Sequence, residues 1–118
     1  MVDCILYHNP RWGKSREAVS LLNENNINYI IIEYLKNPLS VKEVLSLSNR
    51  LGLDPGEFVR KSENDFKENN LDKIITDKNK MAIFISKFPK IMERPILVKG
   101  DKAVLGRPPE NILKLVRE

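Results

Sequence analysis

The chain has 118 residues, with 20 basic and 16 acidic side chains and a formal net charge of +4. That length suffices for one domain with a core of its own, without disulfides or structural metals. The lone cysteine, Cys4, excludes an intramolecular disulfide, a CxxC pair and a cysteine-rich metal site. The charges are interspersed, with no long basic tract, so the positive balance does not point to nucleic acid. No apolar run approaches the ~18 residues of a membrane span, and no signal-peptide pattern opens the chain. A cytoplasmic, membrane-independent protein is the plain expectation, with no metal and no tightly bound cofactor.

Residues 3–8 read as a strand bounded by His8-Asn9-Pro10. Residues 15–25 place Ala18, Val19, Leu21 and Leu22 on one stripe, which predicts an amphipathic helix ended by Asn25-Asn26. Asn28 to Tyr34 is a second, strongly β-branched strand. Strand, helix and strand with a short return make a βαβ unit with parallel strands. Asn37-Pro38 then breaks the chain, and Ser40 with Glu43 forms a capping-box signature for a helix through about Leu51. Asp54-Pro55-Gly56-Glu57 is a second start signal, followed by polar-rich helical pieces over 57–76 and another short helix over Lys80 to Phe88. The middle third, about 39–90, thus reads as a helical insertion whose charges form a solvated face.

Sheet signals return at Arg94-Pro95-Ile96-Leu97-Val98, with Gly100-Asp101 as a two-residue hairpin turn and Lys102 to Leu105 pairing back antiparallel. Pro108-Pro109-Glu110 opens a last helix with Ile112, Leu113, Leu115 and Val116 on its buried side. The order βαβ, helical insertion, ββα fits an α/β, thioredoxin-like (glutaredoxin-like) mixed four-stranded sheet in a single domain spanning 1–118.

The turn after the first strand reads YHNPRWGKSR over Tyr7 to Arg16, and carries the only tryptophan, Trp12. A strand-to-helix turn aims free backbone N–H groups at one point, with the positive end of the helix dipole behind them. Such a place binds anions or lowers a thiol pKa. An indole can serve as neither anion nor thiolate nucleophile. Cys4 is eight residues upstream on a strand rising ~3.3 Å per residue, roughly 20 Å or more away, and reads as a core side chain.

Four blocks in order carry a resemblance over essentially the whole chain: YHNPRWGKSR at 7–16, EYLKNPLSVKEV at 33–44, VRKSE at 59–63 and MERPILVKGDKAVLGRPP at 92–109. The chain resembles the ArsC-type arsenate reductases, a glutaredoxin-like branch of the thioredoxin fold. In that family the turn reads HNPxCGxSR and its cysteine attacks arsenate, the adduct being resolved by glutathione and glutaredoxin. By position the nucleophile falls on Trp12, a departure from the family pattern at the reacting atom. The resemblance makes His8, Asn9, Gly13, Ser15, Arg16 and Pro95 parts of the site, with Arg60, Arg94 and Arg107 as ligands of an oxyanion or thiolate. A planar fork of donors suits a tetrahedral oxyanion. It also implies a cis Arg94-Pro95 bond.

Without the resemblance these residues have plainer readings. The arginines fit surface or helix-end positions, His8 a structural role at a strand end, and Pro95 the opening of an edge strand. Ser15 fits a hydrogen-bonding role at a helix N-terminus, since nothing near it in sequence offers a base. Trp12 has three: loss of the chemistry, a repurposed surface with an aromatic anchor, or a one-base change from a cysteine codon.

Two functional expectations follow. The first is an ArsC-type protein acting as a monomer, its thiol step lost or altered, that keeps a pocket for an arsenate-like oxyanion or glutathione, with glutathione and glutaredoxin as co-substrates if active. The second is a non-enzymatic regulator or interaction module resembling the Spx-type proteins, which share the fold and bind RNA polymerase. Their CxxC switch would fall on Trp12 and Ser15, which excludes redox sensing here.

Overall fold

A computed structural model describes residues 4–118 of the chain. Two compact units form, one from the residues up to Tyr34 together with Arg94–Glu118, the other from Leu35–Glu93.

The first unit holds a four-stranded mixed sheet in the order β2-β1-β3-β4. The strand expected over 3–8 is β1, Cys4–His8; Asp3 lies outside the described residues. Next come α1, Gly13–Glu24, and β2, Tyr29–Glu33, which pairs parallel to β1. β3, Ile96–Lys99, runs antiparallel to β1, and β4, Lys102–Leu105, antiparallel to β3. The β3–β4 turn is Gly100-Asp101, where Gly100 takes a φ of +62°, open to glycine without steric cost.

Alternation along the strands decides what is buried. Cys4 and Leu6 of β1 and Leu97 of β3 point to one face, where they meet Ala18 and Leu22 of α1. Ile112 and Leu115 of the last helix, α5 (Glu110–Val116), complete that cluster. The apolar stripes expected on these helices are therefore real but narrower than read. Val19 and Leu21 of α1, and Leu113 and Val116 of α5, are half-buried. This is the thioredoxin-like arrangement, with the β1-to-α1 turn at the carboxyl end of a central strand.

The second unit is helical. α2, Val41–Leu51, starts at the capping box read from sequence: the Glu43 N–H donates to Ser40 Oγ at 3.1 Å, and the Ser40 N–H to Glu43 Oε1 at 3.0 Å. Asp54 to Glu57 makes only a single 3-10 turn, Pro55–Glu57. The expected continuation fails there because the next residues pair with a distant segment. Val59 bridges Met92, the Arg60 N–H donates to the Ile91 carbonyl at 2.7 Å, and the Glu93 N–H donates to the Phe58 carbonyl at 2.8 Å. Helix resumes as α3, Asn64–Glu68, and as α4, Lys78–Lys87, which Asp77 caps by accepting the Lys80 N–H at 3.0 Å. Among the described residues no helix is long and apolar enough to cross a membrane.

Candidate functional site

Residues 9–12 form the turn between β1 and α1. The buried Ser15 hydroxyl accepts the Asn9 N–H at 3.3 Å. Asn9 accepts the Trp12 N–H on its carbonyl and the Arg11 N–H on its side-chain oxygen, each at 3.1 Å. Arg16 reaches back over the turn, Nη1 donating to the Pro10 carbonyl at 3.1 Å. Ser15 and Arg16, two of the residues the sequence points to, thus act on the turn's own backbone and fix its shape.

Trp12 is the N-cap of α1, in an extended conformation with φ −110° and ψ 132°. α1 begins two residues earlier than its periodicity predicts, at Gly13. An indole carries no acceptor, so the N-cap side chain satisfies none of the first-turn N–H groups. The first turn holds no acidic residue either. The positive end of the α1 dipole is left without a carboxylate of its own.

The indole lies on an arginine. The guanidinium carbon of Arg94 sits 3.8 Å from the centroid of the Trp12 ring. Arg94 is 1% exposed whereas Trp12 is 41% exposed. A weakly hydrated, planar cation stacks well on an aromatic face, and burial strengthens that attraction. Arg107 Nε donates to the Arg94 carbonyl at 3.0 Å, and Arg107 itself is exposed. The Arg94–Pro95 bond is cis, as the resemblance implies, and so is Arg107–Pro108. Gly106 lies against Pro95: its N–H donates to the Pro95 carbonyl at 2.8 Å, and a Cβ there would come within 2.7 Å of Pro95 Cγ.

His8 ends β1, opposite Glu33 of β2 in register. It is 7% exposed, and its Nδ1 has no hydrogen-bond partner among the described residues. Burial pushes the His8 imidazole below its ordinary value of 6.5. The Glu33 carboxylate pulls it up in part, and the Arg16 guanidinium adds to the depression. His8 is therefore neutral at neutral pH.

Arg60 belongs to the helical unit. Its Nη1 lies 3.2 Å from Glu93 Oε1 and its Nε 3.8 Å from Glu63 Oε1. Of the residues singled out in sequence, the first unit brings Trp12, Arg94, Arg107 and Pro95 into one assembly. Asn9, Gly13, Ser15 and Arg16 form the turn beside Trp12. Glu33 and Glu93, which face His8 and Arg60, were not singled out. Glu93 follows from the pairing of the 58–60 and 91–93 segments, which no local pattern announces. Among the described residues no three His, Cys, Asp or Glu side chains converge as metal ligands.

The ArsC family profile matches residues 7–115. The chain belongs to the ArsC family. It is 39% identical to an arsenate reductase of Haemophilus influenzae over 116 residues, covering 98% of this chain and all of the relative. A solved chain from Yersinia pestis is 37% identical, with a TM-score of 0.89 and coverage of 95% of this chain and 99% of that one. The arsenate reductase structure from Vibrio cholerae is 34% identical, with a TM-score of 0.82 over 97% and 98% of the two chains.

Proposed function

We propose that this ArsC-family chain keeps the family's oxyanion scaffold while lacking its thiol step, because Trp12 stands at the position of the nucleophilic cysteine. The observation that carries this reading is the stack of the Trp12 indole on the buried Arg94 guanidinium, 3.8 Å from the ring centroid. A thiolate at position 12 would meet that cation as a negative charge; the indole meets it as a neutral π-face. No sulfur–arsenic bond can form from an indole. Cys4 does not replace the thiol, since it is 2% exposed and packed in the sheet cluster with Leu6 and Leu97.

In this reading Arg94 and Arg107 are the ligands of a small arsenate-like oxyanion or of glutathione, and His8, neutral, lies beside the turn. The test is arsenate reduction by the unmodified chain with glutathione and glutaredoxin. The expected result is no turnover above the glutathione background. Turnover that scales with the protein overturns the reading.

The 41% exposure of Trp12 favours a second reading, an interaction module built on the same fold.

A further inference from the structure

Three observations meet at the β1-to-α1 turn. Trp12 is an exposed large apolar side chain, yet its ring is held in place by the Arg94 guanidinium beneath it. The turn around it is braced by the Asn9 carbonyl and side chain, by the Ser15 hydroxyl and by the Arg16–Pro10 contact. Three exposed cations neighbour Trp12 in sequence: Arg11, Lys14 and Arg16. Glu17 lies 3.6 Å from Lys14 in a pair half open to solvent on both sides.

A rigid aromatic side chain on a preorganised loop is the kind of residue that dominates a binding surface, because little freedom is lost on association. The surrounding charge says what it fits. Three cations and the positive end of the α1 dipole favour carboxylates, and the bare first turn of the helix offers N–H groups to them. We infer that the exposed turn from Pro10 to Arg16 is a docking surface for a short acidic segment of a partner protein. One apolar side chain of that segment sits on Trp12, and its carboxylates lie toward Arg11, Lys14 and Arg16. The inference rests on the reading that position 12 does no thiol chemistry.

Protein is favoured over nucleic acid by the shape of the patch. One face of the indole is already taken by Arg94, which leaves a single aromatic face and no succession of stacking platforms for bases.

The experiment uses the full chain, immobilised, to select from a phage-displayed library of random twelve-residue peptides. The enriched peptides, carrying a fluorescent label, are then titrated against the chain and its variants by anisotropy, and against the unmodified chain also by the emission of its single tryptophan. Enriched peptides are expected to combine Asp or Glu with an apolar residue, to shift Trp12 emission to the blue, and to weaken steeply with salt. Trp12→Ala should cost about 30-fold in affinity, the value of a modest hot spot, and Trp12→Phe less. Arg11→Glu with Lys14→Glu should abolish the preference for acidic peptides. Circular dichroism checks that each variant is folded, and Trp12→Phe serves if Trp12→Ala is not. The inference is overturned by no enrichment over an unrelated control protein, or by neutral or basic selected peptides. It is equally overturned if the folded Trp12 variants bind with unchanged affinity, or if a twelve-nucleotide oligo-dT binds more tightly than any selected peptide. None of these outcomes depends on arsenate turnover, which tests the loss of the thiol step separately.

Discussion

Removing the Trp12 ring, the Arg94 cation, or both measures how strongly the two hold each other. Trp12 is 41% exposed, so the covered remainder of a side chain of about 250 Å² is roughly 150 Å². At ~25 cal/mol/Å² that burial stabilises by up to about 4 kcal/mol, an upper value because the denatured chain hides part of the same surface. The expected loss for Trp12→Ala is therefore about 2 to 3 kcal/mol. The stack itself should appear as a coupling of about 1 to 2 kcal/mol, between the value of an exposed cation–π pair and that of a desolvated one. Arg94 at 1% exposure is the desolvated partner, which places the expectation in that range. The assay is urea unfolding of the chain, Trp12→Ala, Arg94→Met and the double variant, followed by far-ultraviolet circular dichroism because two of the four lack the fluorophore. Met keeps much of the arginine stem, so the cycle isolates the cation. A coupling below ~0.3 kcal/mol, within the additivity of independent sites, refutes the claim that the indole is held by Arg94.

His8, the only histidine, gives a clean pH prediction. Its depressed folded pKa means the unfolded chain takes up the proton first, so its contribution to stability is complete above 6.5 and is lost as pH falls through the folded pKa. His8→Asn should remove that step from the pH profile of unfolding, and the imidazole NMR titration should centre below 6.5; a midpoint at or above 6.5 contradicts the burial argument. Gly56→Ala should be strongly destabilising, by about 1 to 3 kcal/mol or more, because its Cβ would lie 2.1 Å from the Ile75 carbonyl oxygen. Gly13→Ala, whose nearest new neighbour is Arg16 Nη2 at 3.8 Å, should stay within about 0.5 kcal/mol of the unmodified chain, both glycine variants being read by urea unfolding. Ser40→Ala breaks the capping box of α2 and should cost about 1 kcal/mol; an unchanged melting temperature would show that the box adds nothing.

Much of the architecture was legible in the sequence because local and tertiary preferences agree there. The β-branched run over Asn28 to Tyr34 pairs as a strand over Tyr29–Glu33, Ser40 and Glu43 cap a helix, and Gly100-Asp101 turns the hairpin. The misreadings fall where a distant partner wins. Asp54-Pro55-Gly56-Glu57 carries a strong helix start, yet Phe58, Val59 and Arg60 leave the helix to pair their backbone with residues 91–93. Ser15 looks like a helix start but spends its hydroxyl on Asn9, so α1 opens at Gly13 with Trp12 as its N-cap. At the candidate site, the resemblance supplied the residue types and the turn supplied their place. The stacking of Trp12 on Arg94 joins residues far apart in sequence, and only packing brings them together. The Arg60 pair with Glu93 depends on the same long-range pairing and left no local trace, whereas Glu63 is the i+3 neighbour of Arg60.

The central claim is that an ArsC-family scaffold lacks its reaction for want of a thiol at position 12. Arsenate reduction measured side by side for the unmodified chain, Trp12→Cys and Trp12→Ser, with glutathione and glutaredoxin, tests it most directly. The account predicts turnover for Trp12→Cys alone. Turnover by the unmodified chain, or a Trp12→Cys variant no more active than Trp12→Ser, would contradict it.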